Sequence, residues 1–209
     1  MNEYYVPAGF GRDEFIEKRS RFIGSLWRCD TEEEALSHIH EMNELHRGAA
    51  HNVYAYIIRE NNIMRYTDNG EPQGTAGLPT LDVLRREGIT NVLCVVTRYF
   101  GGILLGTGGL TRAYAHSAKI ALDAAGVSLM RQWTQVLLEA PYHWQERVKL
   151  KIEELGGMID SVDYGASVLF DTCVPSEMLE EFSAKLVDFT NGTVTPVAMG
   201  EKFMGVRVR

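Results

Sequence analysis

The sequence predicts an α+β protein of two domains, residues 1–130 and residues 131–209. Two features carry that expectation. After Arg131 the segments alternate as βαββαβ, the order of a ferredoxin-like fold. Before it, strand-period and helix-period segments surround one continuous apolar run, Val92–Val96, suited to a buried central strand. With 209 residues, 45% of them hydrophobic and 23% charged, there is material for real cores and little reason to expect disorder.

Within the first domain, 13–28 alternates well enough for two strands, with Phe15, Phe22 and Leu26 facing inward. Thr31 followed three residues later by Glu34 forms a capping box, opening a helix to about His46 with an apolar stripe at Ala35, Leu36, Ile39, Met42 and Leu45. His51–Ile58 and Ile63–Tyr66 read as strands. The segment Asp68-Asn69-Gly70-Glu71-Pro72 has turn chemistry, and a helix is expected to open near Gly74–Gly77. A long helix, about Leu110 to Ala125, should close at Gly126. In the second domain the strands are expected at 134–140, 158–164, 167–174 and from 193 onward, the helices at 142–155 and 176–189. No low-complexity linker separates the domains.

The formal charge of −7 argues against indiscriminate coating of nucleic acid. Its distribution is uneven. Residues 1–130 hold 13 basic and 16 acidic side chains, yet six of those acids fall between Asp30 and Glu44, a stretch with no Lys or Arg. The remainder of the first domain is mildly basic, which suits one anion-binding face. No apolar run reaches the roughly 20 residues that span a bilayer, and no secretory layout opens the chain, so a cytoplasmic protein is expected. Cys29, Cys94 and Cys173 are too widely spaced for a zinc or redox motif and are expected as buried free thiols.

Two glycine-rich segments lead into helices: Gly74-Thr75-Ala76-Gly77, and Gly101 to Gly109, which contains Gly106-Thr107-Gly108-Gly109. A helix start offers unpaired N–H groups and the positive end of a dipole, and glycine lets an anion come close. Thr75 and Thr107 add hydroxyls; Arg98 and Arg112 add charge-assisted donors for phosphate. The candidate phosphate- or RNA-binding set is therefore Gly74, Thr75, Gly77, Arg98, Gly106, Thr107, Gly108, Gly109 and Arg112. The competing reading is that such glycines serve only tight turns and close packing. Neither segment is a nucleotide-hydrolase loop or a dinucleotide fingerprint, so no ATP, GTP, NAD or other cofactor is expected.

His51, Asp68 and Glu71 are the weak catalytic candidates, against a reading in which Asp68 and Glu71 merely shape a turn. No HExxH or Cys/His cluster exists, and no metal is expected. Tyr54, Tyr56, Tyr99 and Phe100 would suit base stacking if exposed, but aromatics in this arrangement more often fill the core.

The phrases Asp68–Gly77 and Val95–Leu110, with Lys18–Ile23 and His51–Ala55, resemble the signature of the YigZ/IMPACT family over most of residues 1–130. The resemblance implies a first domain like the second domain of a small-subunit ribosomal protein, an α/β sandwich also seen in elongation factor G. It implies a ferredoxin-like second domain similar to another domain of that factor. The eukaryotic relative is a translational regulator; its separate amino-terminal interaction domain has no counterpart in these residues, so its partner is not expected to transfer. Asn69, Leu78 and Thr111 depart from the commonest pattern. The expectation is a translation-associated binding protein contacting ribosome, RNA, another phosphate-bearing ligand or a protein of that machinery. The alternatives are an enzyme acting on a phosphorylated small molecule and a pure protein-interaction module.

Overall fold

A computed structural model describes residues 3–209. The chain divides into two units, one of Tyr4–Met130 with Gly205–Arg209, the other containing Arg131–Met204. Both mix helices and strands, as the α+β expectation requires.

The first unit contains β1 (Tyr4–Pro7), β2 (Gly11–Glu17), β3 (Ser20–Arg28), α1 (Glu32–Leu45), β4 (His51–Ile58), β5 (Ile63–Thr67), α2 (Gly77–Arg86), β6 (Val92–Tyr99) and α3 (Thr107–Ala125). Its main sheet runs β2-β3-β6-β4-β5, antiparallel throughout, with β6 in the middle. Alternation decides what each face covers. Phe22, Leu26, Val53, Ala55, Cys94 and Val96 pack against α2 and α3. Leu93, Val95, Tyr56 and Ile58 pack with Ala35, Ile39 and Met42 of α1 on the other face, while Leu36 and Leu45 of the expected stripe are exposed, lying to either side of the line that meets the sheet. Gly24 is where α3 touches the sheet: a Cβ there would lie 2.4 Å from the carbonyl oxygen of Ser117.

Local chemistry fixes the element ends. Thr31 Oγ1 accepts from Glu34 N at 3.2 Å, but Glu34 returns its carboxylate to Asp30 N rather than to Thr31, a capping box displaced by one residue. Lys18 and Arg19 turn β2 into β3 with φ of 45° and 64°, the left-handed pair that a two-residue hairpin needs.

Strand β7 (Val127–Ala140) begins in the first unit, where its first four residues pair antiparallel with β1. Residues 205–209 belong to the same unit: Val127 N donates to Arg209 O at 2.9 Å, Val208 N donates to Val127 O at 2.8 Å, and Arg209 Nη2 meets Glu87 Oε2 at 2.5 Å. That ion pair, ahead of Lys119, holds Glu87 below the usual carboxylate range.

From Arg131 the second unit continues β7, then α4 (Gln145–Glu154), β8 (Met158–Tyr164), β9 (Val168–Pro175), α5 (Leu179–Phe189) and, as far as Met204, β10 (Val197–Arg207). Strand order β10-β7-β9-β8 is that of a split βαβ pair. Val136, Leu138, Phe170 and Val174 of the sheet close a core with Val148 and Ile152 of α4 and with Phe182 and Leu186 of α5. Both helices start later than their periodicity predicts, because Pro141 and Pro175 are each followed by a single 3₁₀ turn. Among the described residues no helix is long and apolar enough to cross a membrane. All three cysteines are buried and free, and burial pushes the Cys94 thiol up to about 12.

Candidate functional site

The two glycine-rich helix starts have different fates. At the first, Asn69 and Gly70 adopt φ of 44° and 85°, and the chain doubles back so that Asp68 faces the start of α2. Asp68 Oδ2 accepts from Gly74 N at 2.7 Å; Oδ1 accepts from Ala76 N at 3.0 Å and Gly77 N at 2.8 Å. Thr75 donates its hydroxyl to Pro72 O at 2.6 Å. Gly74, Ala76 and Gly77 therefore surround an anion, the chain's own carboxylate, while Thr75 gives both its amide and its hydroxyl to Pro72 O. The turn reading of Asp68 describes this geometry; both of its oxygens are committed to capping α2, which leaves none for acid–base work.

Glu71, in the same turn, points the other way, into the sheet. Arg98 on β6 is opposite His51 on β4 and opposite Phe22 on β3. Arg98 Nη1 donates to Glu71 Oε1 at 2.5 Å, and the Tyr114 hydroxyl of α3 donates to the same oxygen at 2.7 Å. Arg98 is 4% exposed and Glu71 8%. Arg98 Nη2 reaches Ser20 Oγ at 3.4 Å, and its Nε is buried without a partner among the described residues. Burial, and then the neighbouring Glu71 carboxylate, pushes the Tyr114 hydroxyl well above the ordinary tyrosine range, so it remains a donor. His51 Nδ1 lies 2.8 Å from Asn69 O; a carbonyl only accepts, so Nδ1 carries the hydrogen and Nε2 faces Glu71 Oε1 at 3.8 Å. Of the three catalytic candidates, His51 and Glu71 are thus brought together and Asp68 is held apart by its helix.

These groups wall a cavity of about 420 Å³. Phe100, Leu104, Leu105 and Leu110 give it an apolar lining, His51, Glu71 and Arg98 its polar side, and Gly106 and Thr107 open onto it from α3. Here the second glycine-rich start remains free. Gly106 caps α3 with φ of 73°, a conformation that suits glycine, and offers no side-chain bond. Leu110 N is the first amide satisfied within the helix, so Thr107, Gly108 and Gly109 donate to nothing among the described residues. The helix begins at Thr107, a turn earlier than its apolar stripe predicts.

Arg112 is exposed and, among the described residues, meets no acid. With Lys18, Glu17 and His116 it rims a smaller hollow of about 260 Å³ that shares Leu105 with the cavity and also reaches Gly109. Arg98 and Arg112, equivalent as candidates in the sequence, are therefore unlike: one is neutralised inside, the other is a free surface cation. Lys18, Ser20 and Tyr114 are contributors that sequence reasoning left out of the site. Only their position in the hairpin turn, at the hairpin's return and on the apolar stripe of α3 hinted at them. Leu78 and Thr111 line a separate hollow of about 280 Å³ between α2 and α3, while Asn69 Oδ1 accepts from Asn52 N. Tyr56 is buried and donates to Glu32 at 2.6 Å, with Tyr54 stacked on it; only Phe100 of the aromatics considered for stacking is substantially exposed. Among the described residues no three His, Cys, Asp or Glu side chains gather as a metal site would require.

On the α1 face, His46 is buried, its Nδ1 2.9 Å from the Tyr99 hydroxyl and its Nε2 without a partner among the described residues. Desolvation, then the charges of Arg12 and Arg21, lowers its pKa below the ordinary histidine value. A depressed histidine is kept neutral by the fold, so its contribution is whole above the unfolded pKa of about 6.5 and is lost as pH falls toward the folded one. Urea midpoints should decline as the solution is acidified below neutrality, and His46→Gln should flatten that decline. Parallel curves for the two proteins would exclude His46 as the source.

The Impact N-terminal domain family matches residues 18–122, and a domain of unknown function (DUF1949) matches residues 138–193. The chain is 37% identical over 193 residues to the IMPACT family member YvyE of Bacillus subtilis, covering 92% of this chain and 89% of that one. It is 35% identical over 204 residues to the IMPACT family member YigZ of Escherichia coli, covering 96% and 100%. A crystal structure described as that of a hypothetical protein is similar with a TM-score of 0.60 at 33% identity, over 96% of this chain and 98% of the other.

Proposed function

The chain belongs to the IMPACT family, and from that premise and the chemistry around α3 we propose a cytoplasmic, translation-associated protein that binds RNA. It binds phosphate, through the free first turn of α3 with Arg112 and Lys18 beside it. The observation that carries this reading is the contrast between the two helix starts. One is filled by Asp68; the other leaves three amides unpaired next to two cations that form no ion pair among the described residues. The resemblance of the first domain to a ribosomal-protein domain points the same way as an analogy of fold. A net-negative chain with one basic face suits local rather than general association with nucleic acid.

Arg98 is a poor probe of this reading, since its removal would strand Glu71 in the interior. The decisive variant is Lys18→Ala/Arg112→Ala, whose side chains are solvent-facing. Fluorescence anisotropy with a short single-stranded RNA, and co-sedimentation with ribosomes, should show salt-sensitive binding by the wild type. The variant should bind about tenfold more weakly, with the log–log salt slope reduced by about 0.7 for each phosphate that is no longer neutralised. Absence of binding by the wild type in both assays, or binding indifferent to salt, would retire the proposal. A small phosphorylated ligand is the second reading, favoured by the size and half-enclosed shape of the cavity beside α3.

A further inference from the structure

We infer that the cavity beside α3 is a pocket for one unstacked guanine base. The inference deepens the phosphate-binding reading, since Gly106 and Thr107 border the same cavity: a nucleotide with its phosphate at the start of α3 has its base inside. The volume, about 420 Å³, lies within the range of small-ligand pockets. Single-stranded RNA is recognised where splayed bases stack on aromatic or guanidinium planes and hydrogen-bond at their edges. Phe100 supplies a half-exposed ring, with the Arg98 guanidinium 5.4 Å from its centroid.

The polar wall selects among bases. Both hydrogen bonds to Glu71 fall on Oε1, so Oε2 is a carboxylate acceptor with no partner among the described residues. In the tautomer whose Nδ1 hydrogen goes to Asn69 O, His51 Nε2 is a second acceptor. Arg98, which lines the cavity, carries one buried donor, Nε–H, with no partner among the described residues. A buried donor without a partner is an unmet cost that an incoming acceptor removes. Two acceptors and one donor complement the guanine edge, which presents two donors, N1–H and the amino group, and one acceptor, O6. Adenine, cytosine and uracil each present a single donor position on that edge and match less well.

The test uses the full chain, an eight-residue oligouridylate, the same RNA with one central guanosine, adenosine, cytidine or inosine, and free guanosine monophosphate. The guanosine RNA should bind about tenfold more tightly than oligouridylate, and inosine, which lacks the amino group, should forfeit most of that gain. Ala50 is exposed and lines the cavity, so Ala50→Trp should fill it, erase the guanosine preference and leave oligouridylate binding intact. If Ala50→Trp proves unfolded by circular dichroism, the inosine comparison on the wild type decides alone. Salt-sensitive RNA binding that Lys18→Ala/Arg112→Ala abolishes, but with no base preference, overturns the pocket and leaves the phosphate reading standing. Guanosine monophosphate bound and blocked by Ala50→Trp, with no RNA bound, supports the pocket and sinks the RNA reading. Binding of none of these ligands overturns both.

Discussion

Replacing Glu71 by alanine is expected to cost about 3–5 kcal/mol of folding free energy, the penalty for stranding a buried charge. Arg98 and Glu71 face each other with side chains only 5% and 3% exposed, so solvent screening does not soften the loss. The substitution leaves the guanidinium with only the long hydrogen bond to Ser20 and two aromatic rings nearby. It also removes the acceptor of the Tyr114 hydroxyl, a donor in a buried position. The same logic predicts that Arg98→Met/Glu71→Leu recovers much of the loss, because removing both charges removes the penalty of desolvation. Urea unfolding of the three proteins decides the matter. A Glu71→Ala variant within about 1 kcal/mol of wild type, the ordinary effect of a point mutation, would show that the pair is solvated in solution.

Asp68→Ala is expected to lose about 2–3 kcal/mol, more than an ordinary helix cap, since three backbone donors and the dipole of α2 are deprived of one carboxylate together. Asp68→Asn keeps an acceptor oxygen but not the charge, and should forfeit roughly half as much. Hydrogen exchange at Gly74, Ala76 and Gly77 should accelerate more than exchange in the middle of β6, marking the loss as local to the turn. Equal stability of Asp68→Ala and wild type would mean that water or another group caps the helix equally well.

Much of the architecture was legible because it rests on local chemistry. Thr31 and Gly126 mark helix ends by their own conformational preferences, and Val92–Val96 is apolar on both faces because β6 is covered on both. Other parts depend on long-range pairing. Tyr4–Pro7 is too short to announce a strand and exists by pairing with Val127–Met130. Gly108 and Gly109 are weak helix formers, which hides the first turn of α3 from a periodicity count.

The site divides in the same way. That Asp68 shapes a turn could be read from Asp-Asn-Gly. That Glu71 pairs with Arg98, 27 positions away, follows from the register placing His51 opposite Arg98, which no local pattern encodes. Two similar glycine-rich motifs also give no hint that one is plugged and the other open. The difference is a single side chain, positioned by left-handed turns at Asn69 and Gly70.

Residues 205–209 give the chain an order of assembly. A ribosome makes Val127 long before it makes Val208 and Arg209, and every residue from Arg131 to Met204 is translated in the interval. During that time the Val127 backbone and the Glu87 carboxylate wait without their final partners. The nascent first unit is therefore an unfinished object until the second has been synthesised. Completion of the two is timed together by nothing more than where five residues fall in the reading frame.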